Sequence, residues 1–309
     1  MTRMSARAVH ALRPVADAHH LPKSRQGSPT SLLLMLFGDY WLERSLPLPS
    51  AALVSLLADF DVSEVAARAA LSRMVKNHLL TSSRAGRNTS YLPTPRTVGV
   101  LRSALKRMEE FGLEDRPWDG IWSVVVFDAP ERNRALREAI RSRLRWLGFA
   151  PLAEGVWISP RGRHEVAINE LAELGLRDAT ALTATVPLAG AGARRPQEAW
   201  DLEALSEEYH RFIDEAERLT SAVEAGRFDP TQALVQRTRF ADDWIELASS
   251  DPDLPRELLP EDWPRGRARS AFVSTHGALG ARAIERVVAA IEASAPDLAQ
   301  LVVHRTFVL

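Results

Sequence analysis

The sequence predicts an α+β protein built in three folded parts, and three observations carry that reading. Three helical segments followed by a basic, turn-rich hairpin occupy residues 28–96, and a β-α-β-β-α-β alternation occupies residues 117–189. Helical periodicity then dominates residues 190–309. A chain of 309 residues exceeds one small domain, so several units, each burying its own core, are expected.

Composition narrows the class. With 46% hydrophobic and 26% charged residues the chain is of the soluble globular type, and no apolar run approaches the roughly 20 residues that a membrane helix needs. Residues 1–27 carry Arg3, Arg7, Arg13, Lys23 and Arg25 against Asp17, without the continuous apolar core of a secretory signal. They are expected to form a disordered basic tail, either brushing DNA phosphates or serving no purpose. The absence of cysteine removes disulfides, thiolate nucleophiles and cysteine-based zinc sites, and agrees with a reducing, cytoplasmic setting. Overall charge is nearly balanced, at 39 basic against 40 acidic side chains, but it is unevenly distributed. Between positions 63 and 96 stand Arg68, Arg73, Lys76, Arg84, Arg87 and Arg96 against Glu64 alone. Local concentration of this kind suits phosphate binding, because each neutralised phosphate releases counterions.

Ser28-Pro29 opens an apolar stretch, residues 32–37, that Gly38 is expected to close, giving a first helix. Pro47 and Pro49 punctuate the chain before Ser50, read as the N-cap of a second helix with Leu53, Leu56 and Leu57 on one face. A third helix is expected over residues 63–80. Its phase places Ala66, Ala67, Ala70, Leu71 and Met74 on a packing face and Arg68, Ser72, Arg73 and Lys76 on a polar one. The turn-rich tip Arg84-Ala85-Gly86-Arg87-Asn88-Thr89-Ser90 then lies between short strand-like flanks at Leu79-Leu80 and Tyr91-Leu92. Three helices and a basic β-wing make a winged helix-turn-helix, with Arg68, Ser72, Arg73, Lys76, Arg84 and Arg87 as the candidate DNA-binding residues.

These segments resemble the PaaX-type regulators of phenylacetate catabolism. The resemblance runs through Ser28-Pro29, Leu36-Phe37-Gly38-Asp39-Tyr40, residues 65–75, Gly86-Arg87 and Tyr91. Asn77-His78, where the family commonly turns with a glycine, and Leu92-Pro93, where a polar strand residue is usual, depart from it.

A linker helix is expected over residues 97–116, with Val98, Leu101, Leu105 and Met108 inward. The β-branched and aromatic run Trp122-Ser123-Val124-Val125-Val126-Phe127 reads as a buried strand, and Leu136, Ile140, Leu144 and Leu147 stripe the helix after Pro130 that Gly148 stops. A short strand near residues 149–152, another over 155–159, a helix over 163–174 and a strand over 181–186 complete a ferredoxin-like order. Here the family resemblance rests on Trp118-Asp119-Gly120, Phe127-Asp128-Ala129-Pro130-Glu131-Arg132, residues 144–149 and residues 155–160, and the region is also similar to the Cas2-like fold. That likeness offers an alternative function, a metal-dependent nuclease using Asp128. One carboxylate is a thin basis for a hydrolytic site. Asp128 is therefore read as the cap of the following helix, no catalytic or metal residue is assigned, and the protein is not expected to be an enzyme. Arg132, Arg134, Arg137, Arg141, Arg143 and Arg145 outnumber Glu131 and Glu138 along that helix and give it a basic surface, open to DNA, to an acidic surface of the same chain, or to solvent.

Residues 190–196 read as a hinge, since no Lys-Ser or Lys-Thr follows to make a phosphate loop. Beyond it, Trp200, Leu202, Leu205, Tyr209, Phe212 and Ile213, then residues 231–248, keep helical phase. Residues 251–264, with Leu258-Leu259-Pro260 and Trp263-Pro264, match the family's C-terminal region, and their proline spacing suits a rigid docked loop. The resemblance implies that residues 190–309 form an effector and dimerisation domain responding to a small molecule of the aryl-acyl coenzyme A type. It implies a repressor of an aromatic catabolic operon, acting as a homodimer on a pseudo-palindromic DNA operator. Trp200, Tyr209, Phe212, Trp244 and Trp263 either line a pocket or form core, Arg194, Arg195, Arg237 and Arg239 are phosphate candidates, and no ligand residue is named. No cofactor is expected.

Overall fold

The computed structural model describes residues 27–42, 44–113, 117–128, 133–186 and 195–308. The expected basic tail, apart from Gly27, and most of the expected hinge lie outside these residues. The chain divides into two compact units, each assembled from separated stretches of sequence. Of the described residues, the first comprises those up to residue 107 with 228–239 and 279–306; the second comprises those within 108–227, 240–278 and 307–308. No helix among the described residues is long and apolar enough to cross a membrane.

In the first unit, α1 (Pro29–Tyr40) starts where its sequence dictates, with the Ser28 hydroxyl accepting the Ser31 N–H at 3.2 Å and proline in the first turn. Gly38 does not close it. The helix continues to Tyr40 because Gly38 keeps helical geometry on a buried face where Leu101 and Leu105 approach, and the chain departs only at Trp41. Trp41 is buried and its indole N–H donates to the Leu46 carbonyl at 2.7 Å. Ser50 is not a cap either. It is the first residue of α2 (Ser50–Ala58), since the preceding Pro49 is engaged in β1 (Leu48–Pro49). α3 (Glu64–Lys76) is capped by Ser63, whose hydroxyl accepts the Ala66 N–H at 3.3 Å, and it buries Ala67, Ala70, Leu71 and Met74 against α1 and α2. It ends four residues short of the expected position because His78 adopts a left-handed φ of 56°, turning the chain into a strand. β2 (Leu80–Ala85) and β3 (Asn88–Pro93) form a hairpin closed by Gly86-Arg87, with Gly86 at φ 60°, and the sheet order is β1-β3-β2. α4 (Pro95–Glu110) is pinned to this hairpin by the buried Thr97 hydroxyl, which donates to the Leu79 carbonyl at 2.7 Å.

The remaining parts of this unit come from far along the chain. Arg237, in α8 (Pro230–Ser250), is completely buried. It donates to both carboxylate oxygens of Asp39, at 2.7 and 2.9 Å, and to the Arg305 carbonyl at 2.7 Å. Burial opposes the Arg237 charge, and Asp39 more than offsets it, so the guanidinium is held more firmly charged than usual. Burial and the Asp39 carboxylate likewise push the neighbouring Tyr40 phenol well above its ordinary range, keeping it neutral. In α9 (Arg265–Glu292), Gly280 leaves room for this pair: a Cβ there would stand 2.7 Å from both Arg237 Nη1 and the His304 ring. Arg286 of the same helix bonds Asp59 at 2.8 Å and the Ser55 carbonyl at 3.1 Å. Arg44 donates to the Leu301 carbonyl at 3.0 Å.

The second unit contains the expected β-α-β-β-α-β run. Its elements are β4 (Trp122–Phe127), α5 (Arg134–Trp146), β5 (Ala150–Ala153), β6 (Val156–Ser159), α6 (His164–Glu173) and β7 (Ala179–Ala184). The sheet is antiparallel in the order β5-β6-β4-β7, the split βαβ arrangement. Alternation along β4 sends Val125 and Phe127 toward α5 and α6, where Ile140, Leu144 and Leu171 are fully buried. Trp122 and Val124 face the other way, where the segment after α8 packs Leu254 and Leu258 over Trp122 and Ile158. That proline-rich segment is therefore docked, as its spacing predicts. It is tied to the sheet by Arg161, which donates to the Pro252 carbonyl at 2.7 Å and pairs with Asp253 at 3.0 Å. Buried Asp251 accepts from Arg265 at 2.9 and 3.1 Å and from the Tyr209 hydroxyl of α7 (Leu202–Glu224).

Removing one member of a buried ion pair strands the other charge, a loss of about 3–5 kcal/mol. Asp39→Ala is expected to lose stability on that scale in chemical denaturation, while a Asp39→Leu/Arg237→Met double variant recovers much of it. A loss from Asp39→Ala below about 1 kcal/mol, the scale of a surface pair, contradicts this account.

Candidate nucleic-acid interface

α3 separates two surfaces as its sequence phase requires. Ala67, Ala70, Leu71 and Met74 are buried, while Arg68, Ser72, Arg73 and Lys76 are all exposed on the opposite side. Small alanines let the helix sit close to α1 and α2, and the long basic side chains reach outward from a fixed backbone. Arg68 is oriented by its own helix, since its guanidinium Nε and Nη2 both lie 2.8 Å from Glu64 Oε1. Arg73 and Lys76 fall in the last turn, where positive charge complements the helix dipole.

The hairpin follows α3 after a turn of three residues and packs against it. Arg84 lies in β2 opposite Thr89, with its Nε donating to the Gly86 carbonyl at 3.2 Å, and Arg87 occupies the two-residue turn. Both are exposed, as are Thr81, Ser82 and Ser83 along β2. All six candidate residues thus belong to one unit, on two consecutive elements, with a single acid, Glu64, among them. Val65 is a residue that the sequence reading passed over. It is 79% exposed on the same side of α3, and its phase with Arg68 and Ser72 was the available signal.

Other candidates fare differently. Asp128 is exposed at the end of β4 and does not cap the next helix: Asn133 does, its side chain accepting the Leu136 N–H at 3.0 Å. The intervening residues 129–132, including Pro130, lie outside the described residues. Among those described, no three His, Asp or Glu side chains gather as a metal site. Tyr209, Phe212 and Trp244 are core: Phe212 stacks on Phe240 at 4.6 Å and Trp244 on Phe272 at 5.0 Å. Trp200 stacks on Trp122, and Trp263 meets Tyr209 edge-on. Arg237 is excluded as a phosphate ligand by its burial against Asp39; Arg195 and Arg239 are exposed, and Arg194 lies outside the described residues. On α5, Arg143 pairs with Glu170 at 2.6 Å, Arg141 with Glu138 at 3.2 Å, and Arg145 lies over the Trp157 ring. Much of that basic surface is engaged within its own unit.

Comparison with known proteins gives three successive matches along the chain. Residues 28–96 match the family described as PaaX-like protein, residues 115–197 match the PaaX protein central Cas2-like domain, and residues 200–289 match the PaaX-like protein C-terminal domain. The chain belongs to the PaaX family. It is 27% identical over 277 residues to the transcriptional repressor PaaX of Escherichia coli (strain K12), covering 88% of this chain and 86% of that one. Among solved structures it is similar to the uncharacterized protein Rv0674 from Mycobacterium tuberculosis, at 25% identity and a TM-score of 0.54 over 84% of this chain and 98% of that one.

The Ser63 cap fixes where α3 begins, and hence the phase of its exposed face. Ser63→Ala is expected to cost about 1 kcal/mol and to raise amide exchange in the first turn of α3. Unchanged protection at Ala66 would show that the cap has no such role.

Proposed function

We propose that this protein is a DNA-binding transcriptional regulator, a repressor, whose residues 28–96 act as a winged helix-turn-helix with α3 as the recognition helix. The observation that carries the reading is the division of α3 into a buried Ala/Leu/Met face and an exposed Arg68, Ser72, Arg73 and Lys76 face, followed at once by a hairpin bearing Arg84 and Arg87. A major groove admits one helix of this kind, and a basic hairpin beside it meets the phosphate backbone. The repressor named among its relatives supports the sign of regulation.

On this reading residues 97–116 link the reader to a central domain at 117–189 and to an effector and dimerisation region at 190–309. The protein acts as a homodimer in the cytoplasm, and its two-fold symmetry calls for a pseudo-palindromic operator. Its effector is a small molecule of the aryl-acyl coenzyme A class that releases DNA from an aromatic catabolic operon, a reading that rests on family membership.

Arg68→Ala and Lys76→Ala are each expected to weaken binding to a selected operator, and unchanged affinity of both at moderate salt removes α3 as the reader. Arg84→Ala and Arg87→Ala instead weaken all sequences alike and lower the slope of log affinity against log salt by about 1 each. A phenylacyl coenzyme A thioester at 100 times its Kd is expected to add about 2.7 kcal/mol of stability and so raise the melting temperature. A flat melting temperature across a panel of acyl thioesters rejects that effector class.

A further inference from the structure

Val65 has no structural reason to be where it is. A valine with 79% of its surface in water, one residue into a capped helix, gains nothing from burial and has less helix propensity than alanine, the residue at positions 66, 67, 69 and 70. Its place on the helix is specific. Steps of three and four residues put Val65, Arg68, Ala69 and Ser72 on one surface, so two apolar side chains sit within a basic one. Charge complementarity names the occupant of this surface: the flanking Arg68, Arg73 and Lys76, with Arg84 and Arg87 on the hairpin, suit a polyanion. In a major groove the one apolar group presented by the bases is the thymine C5-methyl. The N-terminal residues of a recognition helix are those that meet base edges. Glu64 holds Arg68 through a single oxygen, which fixes that guanidinium against its own helix while Val65 stays exposed.

We propose, building on the DNA-reading role of α3, that Val65, with Ala69 beside it, is a specificity-determining residue that recognises thymine methyl groups. Binding sites for this protein therefore carry thymine next to the base read by Arg68. Arg68 supplies the polar half of the recognition and Val65 the apolar half, and α3 reads a mixed step rather than a run of guanines.

The test uses the full chain and a random-core duplex library. Sequences retained by the wild-type protein are resynthesised with deoxyuridine in place of each thymine in turn, which removes only the methyl group. Wild-type protein is expected to lose about fourfold in affinity at one or more positions, the effect of unburying one methylene-sized group. Val65→Ser should lose that discrimination while binding the deoxyuridine duplex as wild type does. Being a surface change, it should leave the melting temperature unaltered. Equal wild-type affinity for thymine and deoxyuridine duplexes overturns the proposal, as does a Val65→Ser variant that keeps the full preference. Both outcomes leave DNA binding intact. Failure of the wild-type protein to retain any duplex overturns the DNA-reading role itself, and this proposal with it.

Discussion

The buried ion pair between Arg237 and Asp39 is the contact on which the first unit depends. A guanidinium with no exposed surface is tolerable only when its charge is matched and its hydrogen bonds are filled. Here one carboxylate takes two of those bonds and the Arg305 carbonyl a third. The geometry leaves little tolerance. Asp39 must sit at the end of α1, Arg237 must face it from α8, and the chain near residue 305 must pass close by. The Asp39 carbonyl accepts the Arg305 N–H at 2.9 Å, so one residue of α1 receives both a side chain and a backbone from distant sequence. Gly280 adds a condition of space.

The second unit is organised around a sheet that needs both faces covered. α5 and α6 serve one face, as any β-α-β-β-α-β fold provides. The other face presents Trp122, which meets Trp118 edge-on at 5.2 Å and lies near parallel to Trp200 at 6.3 Å. An exposed tryptophan cluster of this size would be an adhesive patch, and the proline-rich stretch around Leu254 and Leu258 closes it. The polar bonds of Arg161, Asp251, Asp253 and Arg265 then fix that stretch so that its backbone is satisfied while it crosses an apolar surface.

What could be read in advance was whatever a short window encodes. Ser28 and Ser63 announce helix starts because a cap and its N–H lie three residues apart, and the strands and stripes of the second unit follow from periods of two and 3.6 residues. The basic face of α3 was legible on the same grounds. Where the reading failed, the deciding partner was remote. Pro47 and Pro49 look like punctuation, yet Leu48 and Pro49 form a strand because Tyr91 and Ser90 lie opposite. Gly38 looks like a stop, and becomes a contact for Leu101 and Leu105. Asp128 resembles a cap until Asn133 is seen to do that work. Arg237 resembles any other surface arginine, since nothing near it in sequence reveals a carboxylate 198 residues away.

The discontinuous make-up of the first unit bears on how the protein is born. Residues 28–96 leave the ribosome early, but the arginines that meet Asp39 and Asp59 are at positions 237 and 286. At roughly 5–20 residues per second, α1 waits on the order of 10–40 s for its counter-charge and α2 slightly longer for its own. During that interval the nascent chain holds two carboxylates on surfaces destined for burial, an arrangement that delays tight packing of α1 and α2. Completion of the packing around α1 and α2 is thereby tied to synthesis of nearly the whole chain, and a product that ends before residue 237 leaves the Asp39 carboxylate without its counter-charge.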